Sequence, residues 1–254
     1  MVILVSNDDG VHSEGLRVLA KGLEVLGEVF VVAPDRERSA AGHSLTLNRP
    51  LRATQLAPNC YAVDGTPTDC ITLAVMRILE GRPDLVISGI NMGPNLGDDV
   101  TYSGTVSAAF EATLLGIPAF AVSVVAKEDF FFQGAADFSL YLAELTLRKG
   151  LPPDTLLNVN VPNLPLSEIA GVEITRQGKR IYSDSIVEKM DPRGRAYYWI
   201  GGEEPTWERL GGTDYEAVME NKISITPLHL DLTNYAALEE LKNWDFRAFP
   251  SSRP

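Results

Sequence analysis

The sequence predicts an α/β fold: a Rossmann-like, mostly parallel sheet with helices on both faces, plus a protruding C-terminal β-hairpin arm. Three observations carry that expectation. Short continuous apolar runs such as "VILVS" (2–6) and "DLVISG" (84–89) suit parallel strands buried on both faces. Between them lie stretches with apolar residues at helical spacing, as at Leu16, Leu19, Ala20, Leu23 and Leu26. After about residue 172 the pattern changes to charged and aromatic pieces joined by "DPRG", a turn signal.

Taken in order, "VILVS" is the first strand and residues 13–27 a helix, with Ser13 as N-cap and Gly27 where a helix breaks. "EVFVVAP" (28–34) is a strand closed by proline. Residues 35–55 are polar and too long for a plain connection, so they are expected to be functional or to hold short strands. A short strand at 59–65 precedes a helix over 66–81, which opens with Thr66 as N-cap, Pro67 at its first position and Asp69 completing a capping box. The strand at 84–89 is followed by a helix over 105–116, a strand over 117–125 and a helix over 135–148. "TLLNVNVP" (155–162) alternates apolar and polar residues, as a strand with one wetter face would. Residues 176–222 read as the arm, and 222–244 as a strand and a helix that starts near Asp231 or Thr233. The whole chain, 1–254, is expected to form a single α/β domain.

Composition narrows the function. With 34 acidic and 22 basic residues the net charge is −12, a field that repels nucleic acid and anionic membranes. No apolar run approaches the roughly 20 residues of a membrane helix, and the N-terminus lacks the basic and apolar regions of a signal peptide. A cytoplasmic protein without a membrane or duplex partner is expected. Cys60 and Cys70, with no CxxC pattern, read as reduced structural residues.

Ligands of open α/β sheets bind beyond the carboxyl ends of the strands. The loops there are Asn7 to Ser13, Pro34 to Ser44 and Ile90 to Ser103. They supply the carboxylates of Asp8 and Asp9, the hydroxyls of Ser39 and Ser44, and the amides of Asn91 and Asn95. An all-oxygen set suits a hard cation such as Mg²⁺, Mn²⁺ or Ca²⁺. Asp98 and Asp99 read as solvated. In "YSGTVSAA" (102–109), Ser103 caps a helix whose N–H groups at Gly104, Thr105 and Val106 favour a phosphate. Each element alone has a plainer reading as a turn former or cap; their coincidence at one sheet edge is what points to metal-assisted phosphoester hydrolysis.

In combination these residues resemble the SurE family of survival-protein nucleotidases. The similarity runs through "ILVSNDDGVHSEGL", "VAPDRERSAAGHSLTL", "DGTPTDC", "PDLVISGINMGPNLGDDVTYSGTVSAAFEA" and "ITPLHLDLT", in order along most of the chain. The resemblance implies hydrolysis of nucleoside 5′- and 3′-monophosphates, with exopolyphosphatase side activity. It implies one divalent metal ion per subunit, Mg²⁺ or Mn²⁺ with Ca²⁺ as a crystallographic substitute, on Asp8, Asp9, Ser39 and Asn91. Asn95, Ser103, Gly104 and Thr105 then fall where the family holds phosphate, and the arm where it builds homodimers or homotetramers.

Two roles stay open. A metal-activated water is favoured as nucleophile over Asp8 itself, because a carboxylate engaged by a cation attacks poorly. His12 or His43 could protonate the leaving oxygen. The competing expectation is a non-catalytic phospho-acceptor or nucleotide-binding regulatory module.

Overall fold

The computed structural model describes residues 1–181, 186–200 and 206–244. Its nine-stranded sheet has the order β3-β4-β2-β1-β5-β6-β7-β13-β8. The chain lays down β1 (Val2–Ser6), α1 (Glu14–Leu23), β2 (Glu28–Pro34), β3 (Ala53–Ala57), β4 (Cys60–Val63) and α2 (Pro67–Leu73), which runs on into a π-helical turn at Ala74–Ile78. Then follow β5 (Leu85–Met92), a 3₁₀ turn (Gly97–Thr101), α3 (Gly104–Leu114), β6 (Ala119–Val125), α4 (Phe132–Lys149) and β7 (Thr155–Pro162). β1 pairs in parallel with both β2 and β5. The chain therefore builds outwards from β1 in one direction, then crosses to β5 and builds in the other, leaving a crevice between β1 and β5.

Alternation along the central strands makes two cores. Ile3, Val5, Ile87, Phe120 and Val122 face α1 and α4. Leu4, Val86, Ala119 and Ala121 face α2 and α3. The small alanines on that second face meet Ala108, Ala109 and Ala112 of α3, which lets the helix sit close to the sheet.

Several local expectations are corrected. The α1 helix ends at Leu23, short of Gly27. Gly27 instead lies against the first residue, where a Cβ would come within 2.4 Å of the Met1 carbonyl oxygen. Ser13 occupies the N-cap position without capping; its hydroxyl accepts from Asn7 Nδ2 at 2.7 Å. The capping box of α2 is present as expected, with Asp69 N–H donating to Thr66 Oγ1 at 3.1 Å. The fifth strand runs three residues past Gly89, so Asn91 is carried by a strand. An irregularity in its pairing with β6 between Ser88 and Asn91 re-aims the strand end there. The polar face of β7 is not wet: Asn158 and Asn160 are fully buried.

Past β7, β8 (Gly171–Ile174) and β13 (Lys222–His229) extend the sheet, β13 antiparallel to β7. Between them come β9 (Arg180–Ile181), β10 (Ile186–Met190), β11 (Ala196–Ile200), β12 (Thr206–Trp207) and α5 (Asp214–Met219). β10 and β11 form the expected exposed hairpin. The expected arm is not all strand, since α5 closes it; residues 182–185 and 201–205 of the arm, and 245–254 of the chain, lie outside the described residues. The last helix, α6 (Tyr235–Leu241), starts near Thr233 as expected and is capped by Asn234, whose side chain accepts from Ala237 N at 3.0 Å. Among the described residues no helix is long and apolar enough to cross a membrane.

Candidate active site

At the carboxyl edge of β1 and β5 lies a cleft of about 270 Å³. Asp8, Asp9, Glu37, Ser39, Asn91, Asn95, Asp99, Tyr102 and Ser103 line it, with Ala40 and Met92. Six of the residues singled out from sequence thus meet in one place. Gly104 and Thr105 stand directly behind Asp8, as their contacts show.

The end of β1 carries Asp8 and Asp9. Asp8 is 6% exposed. The Thr105 hydroxyl donates to it, and the same hydroxyl lies 3.2 Å from Asn91 Oδ1. Burial pushes the Asp8 carboxyl up; hydrogen bonds from Thr105 and from its own main chain pull the other way without prevailing. Asp9 accepts the Met92 N–H at 3.2 Å. Burial, and then the neighbouring Asp8, push its carboxyl up to about 7. Two adjacent acids, Asp8 buried and Asp9 half-buried, are costly without a cation, and a bound cation would relieve both causes at once.

The other donors fit that purpose. Asn91 Nδ2 donates to the Gly93 carbonyl at 2.8 Å, which turns its Oδ1 towards Thr105 and the cleft. The Ser39 hydroxyl is exposed and donates to Glu37 at 2.5 Å. Among the described residues no Lys or Arg lines the cleft, while Asp8, Asp9, Glu37 and Asp99 do. Among the described residues no group of three or more His, Cys, Asp and Glu gathers as a metal cluster would. The candidate set therefore rests on two carboxylates with hydroxyl and amide oxygens, a hard-cation donor set.

The helix start differs from expectation in one respect. Ser103 caps α3 by accepting the Val106 N–H at 3.0 Å, so that N–H is spent. Thr105 is turned towards Asp8, and Gly104 lets the two meet: a Cβ there would lie 2.8 Å from Asp8 Cβ. Asn95 is held as a rigid wall. Its N–H donates to Asn160 Oδ1 at 2.9 Å, and its carbonyl accepts from Asn158 and Asn160 at 2.8 and 2.9 Å. Its own Nδ2 donates to Ser123 at 2.8 Å.

Both histidines are placed elsewhere. His12 is exposed and does not line the cleft. His43 lines a separate apolar cavity with Val106, Phe110 and His229, and bonds Glu111 at 2.8 Å. Asp98 and Asp99 are not simply solvated, since Lys179 lies 3.1 Å from the first and Arg180 holds the second. Sequence reasoning missed Glu37, Tyr102, Asn158 and Asn160. Only the polar alternation of β7 hinted at the last two.

Comparison with known proteins gives the chain its relatives. The model of the family described as "Survival protein SurE" matches residues 3–184. A Geobacter sulfurreducens protein named 5′-nucleotidase SurE is 58% identical over 249 residues, covering 98% of this chain and 95% of its own. A protein of the same name from Geobacter metallireducens is 58% identical over 247 residues, with 97% and 98% covered. The crystal structure of the Sure protein from Aquifex aeolicus superposes with a TM-score of 0.87 at 49% identity, covering 95% of this chain and 98% of that one.

Proposed function

This chain belongs to the SurE family, and from that membership and the geometry of the cleft we propose that it is a divalent-metal-dependent phosphomonoesterase acting on nucleoside 5′- and 3′-monophosphates. The observation that carries the reading is the sign of the cleft: among the described residues its wall has four acids and no basic side chain, so a phosphate there calls for a cation beside the helix start. The relatives named as nucleotidases favour this over a non-catalytic regulatory module.

Asp8, Asp9, Ser39 and Asn91 are proposed to hold one Mg²⁺ or Mn²⁺, with Ca²⁺ able to take the same oxygens. When bound, that ion supplies a polarised phosphoryl oxygen and a water of lowered pKa. The chain's own residues then orient and select. Asn95, locked from behind by Asn158 and Asn160, presents a fixed amide at the phosphate. Gly104 lets Asp8 pack against the helix start, and Ser103 holds that start in register at the cleft. Thr105 shares its hydroxyl between Asp8 and Asn91, so it fixes two donors relative to each other. Neither histidine lines the cleft, so neither is assigned the leaving-group proton.

A longer phosphate chain could enter the same cleft end-on, which supports exopolyphosphatase side activity. The exposed β10–β11 hairpin, with Tyr198, Trp199 and Ile200 uncovered, supports assembly into a homodimer or homotetramer through the arm. The composition supports a cytoplasmic location and a single α/β domain.

The test is phosphate release from 5′-AMP, 3′-AMP, GMP and polyphosphate by purified protein, with Mn²⁺ or Mg²⁺ and with EDTA. Release that needs the metal and vanishes in Asp8→Asn is expected; a folded protein inert across metals and nucleotides would refute the proposal. Borohydride treatment during a single turnover separates the two routes: an aspartyl-phosphate at Asp8 is reduced to homoserine, whereas direct attack by water leaves Asp8 unmodified.

A further inference from the structure

Ser39 is the proposed metal donor farthest along the chain from a strand, five residues beyond β2, whereas Asp8 and Asp9 follow β1 by two and three residues and Asn91 lies on β5. It sits in residues 35–52, a segment without helix or strand. Just before it, the Arg38 N–H donates to the Asp8 carbonyl at 2.7 Å, so the segment is fixed beside the carboxylates. Just after it, Ala40 takes a left-handed backbone with φ of 55°, and Gly42 does so with φ of 56°. Left-handed backbone at an alanine is disfavoured, so this turn does not hold its shape unaided.

Within the turn the Ala41 N–H donates to the Arg38 carbonyl at 3.3 Å; further support comes from the turn that precedes α3 and from α3 and α2. The Gly42 N–H donates to the Tyr102 carbonyl at 3.1 Å. One residue on, His43 Nε2 lies 2.8 Å from Glu111 Oε2, and its ring packs against Phe110 with centroids 5.1 Å apart. The other Glu111 oxygen accepts from Thr72 Oγ1 at 2.9 Å. One carboxylate thus joins α2, α3 and the loop. Asp69 also grips the loop, through Thr46, but it is already needed for the α2 capping box. Glu111 caps nothing. It is an acid in the third turn of a buried helix with an 11% exposed side chain, a costly choice unless its partners require it.

We propose that Glu111 is a positioning residue for the cation site: through His43 it fixes the far end of the 39–43 turn and so holds Ser39 at the cleft. The inference rests on the assignment of Ser39 as a metal donor, and it adds a residue remote from the metal to that assignment. Glu111 touches neither substrate nor ion. Its loss should leave Asp8, Asp9 and Asn91 in place and slacken one limb.

The test uses Glu111→Ala, Glu111→Gln, His43→Phe, Ser39→Ala and the double variant of Glu111→Ala with Ser39→Ala. Mn²⁺ binding without nucleotide is measured by calorimetry, and amide exchange over residues 38–46 by mass spectrometry on metal-free protein. Glu111→Ala should weaken Mn²⁺ binding about tenfold, as loss of an outer-shell partner does, and speed exchange over 39–46 but not over 8–10. His43→Phe keeps the ring on Phe110 and should behave the same way. Glu111→Gln should recover most of both effects, and Glu111→Ala should add little in the Ser39→Ala background. Full additivity in the double variant, or unchanged exchange over 39–46, would overturn the proposal. Wild-type protein that takes up no Mn²⁺ would remove the donor assignment, and the positioning role with it; the exchange arm then separates a loop clamp without a metal from no clamp at all.

Discussion

Arg180 grips Asp99 through two hydrogen bonds of 2.8 and 2.7 Å, and Asp99 lines the candidate cleft. The segment leading into the exposed hairpin is therefore tied to the wall of the site. The pair is partly exposed, so its contribution to stability is modest, on the order of 1 kcal/mol. Its electrostatic effect is of more interest, because Arg180 cancels one of four acidic charges. Arg180→Met should raise KM for a nucleoside monophosphate roughly fivefold, equivalent to about 1 kcal/mol of added repulsion, with kcat little changed. Adding Asp99→Asn should restore KM, and steady-state kinetics on the three proteins would show it.

Gly104 gives the sharpest steric prediction. A Cβ there would lie 2.8 Å from Asp8 Cβ and 2.9 Å from Asp8 Oδ2. Alanine must push the carboxylate aside, and displacements near 1 Å at a reacting centre cost about 100-fold. Gly104→Ala should lose at least that much kcat/KM while keeping the wild-type far-ultraviolet circular dichroism, since alanine favours a helix. Activity within tenfold of wild type would refute the close approach.

Asn160 is predicted to matter for stability and catalysis together. Alanine there strands the buried Asn95 N–H and removes one donor from its carbonyl. An orphaned buried polar group costs about 1–3 kcal/mol. Urea unfolding of Asn160→Ala should show a loss in that range or larger, and hydrolysis should fall as Asn95 loosens. Asn160→Asp should not rescue it, because its second oxygen would face the Asn95 carbonyl.

Asp9 sets function against stability. Its carboxyl is raised to about 7 by burial and by Asp8. A raised acid keeps its proton in the folded state after the unfolded chain has lost it. Stability of the metal-free protein should therefore fall as pH climbs from about 4 towards 7. Asp9→Asn lacks this slope, so in EDTA at pH 8 it should melt a few degrees above wild type while showing no activity. Added Mn²⁺ should raise the wild-type midpoint and leave the variant unmoved. A variant less stable than wild type in EDTA would show that Asp9 is compensated in some other way.

Much of this was legible in the chain. β1 and β2 match their sequence bounds because continuous apolar runs stop at a polar residue or at Pro34, and β7 because its alternation ends at Pro162. The capping box at Thr66 and Asp69 is a local signal and needs no tertiary partner. Asp8, Asp9, Ser39, Asn91, Asn95 and Ser103 were found because every parallel strand delivers its loop to the same edge. Where reading failed, the missing information was non-local. Alternation in β7 shows that the strand has two faces, but not that Asn158 and Asn160 meet a backbone carbonyl more than 60 residues away. His43 sits four residues from Ser39, yet its partner Glu111 is on α3, beside a different cavity. α5 was lost inside a segment read as strand because it is six residues long and too short to show a period.

The place of β1 between β2 and β5 has a consequence for synthesis. Its second edge is covered only by residues 85–88, so on the ribosome the first strand leaves the exit tunnel long before its partner exists. Until then it is an apolar strand with an open edge, the kind that pairs wrongly. The acidic pair at its tip keeps one end of that nascent strand charged through the wait. Aspartates proposed to hold a cation in the finished protein would then also act as gatekeepers against aggregation during translation.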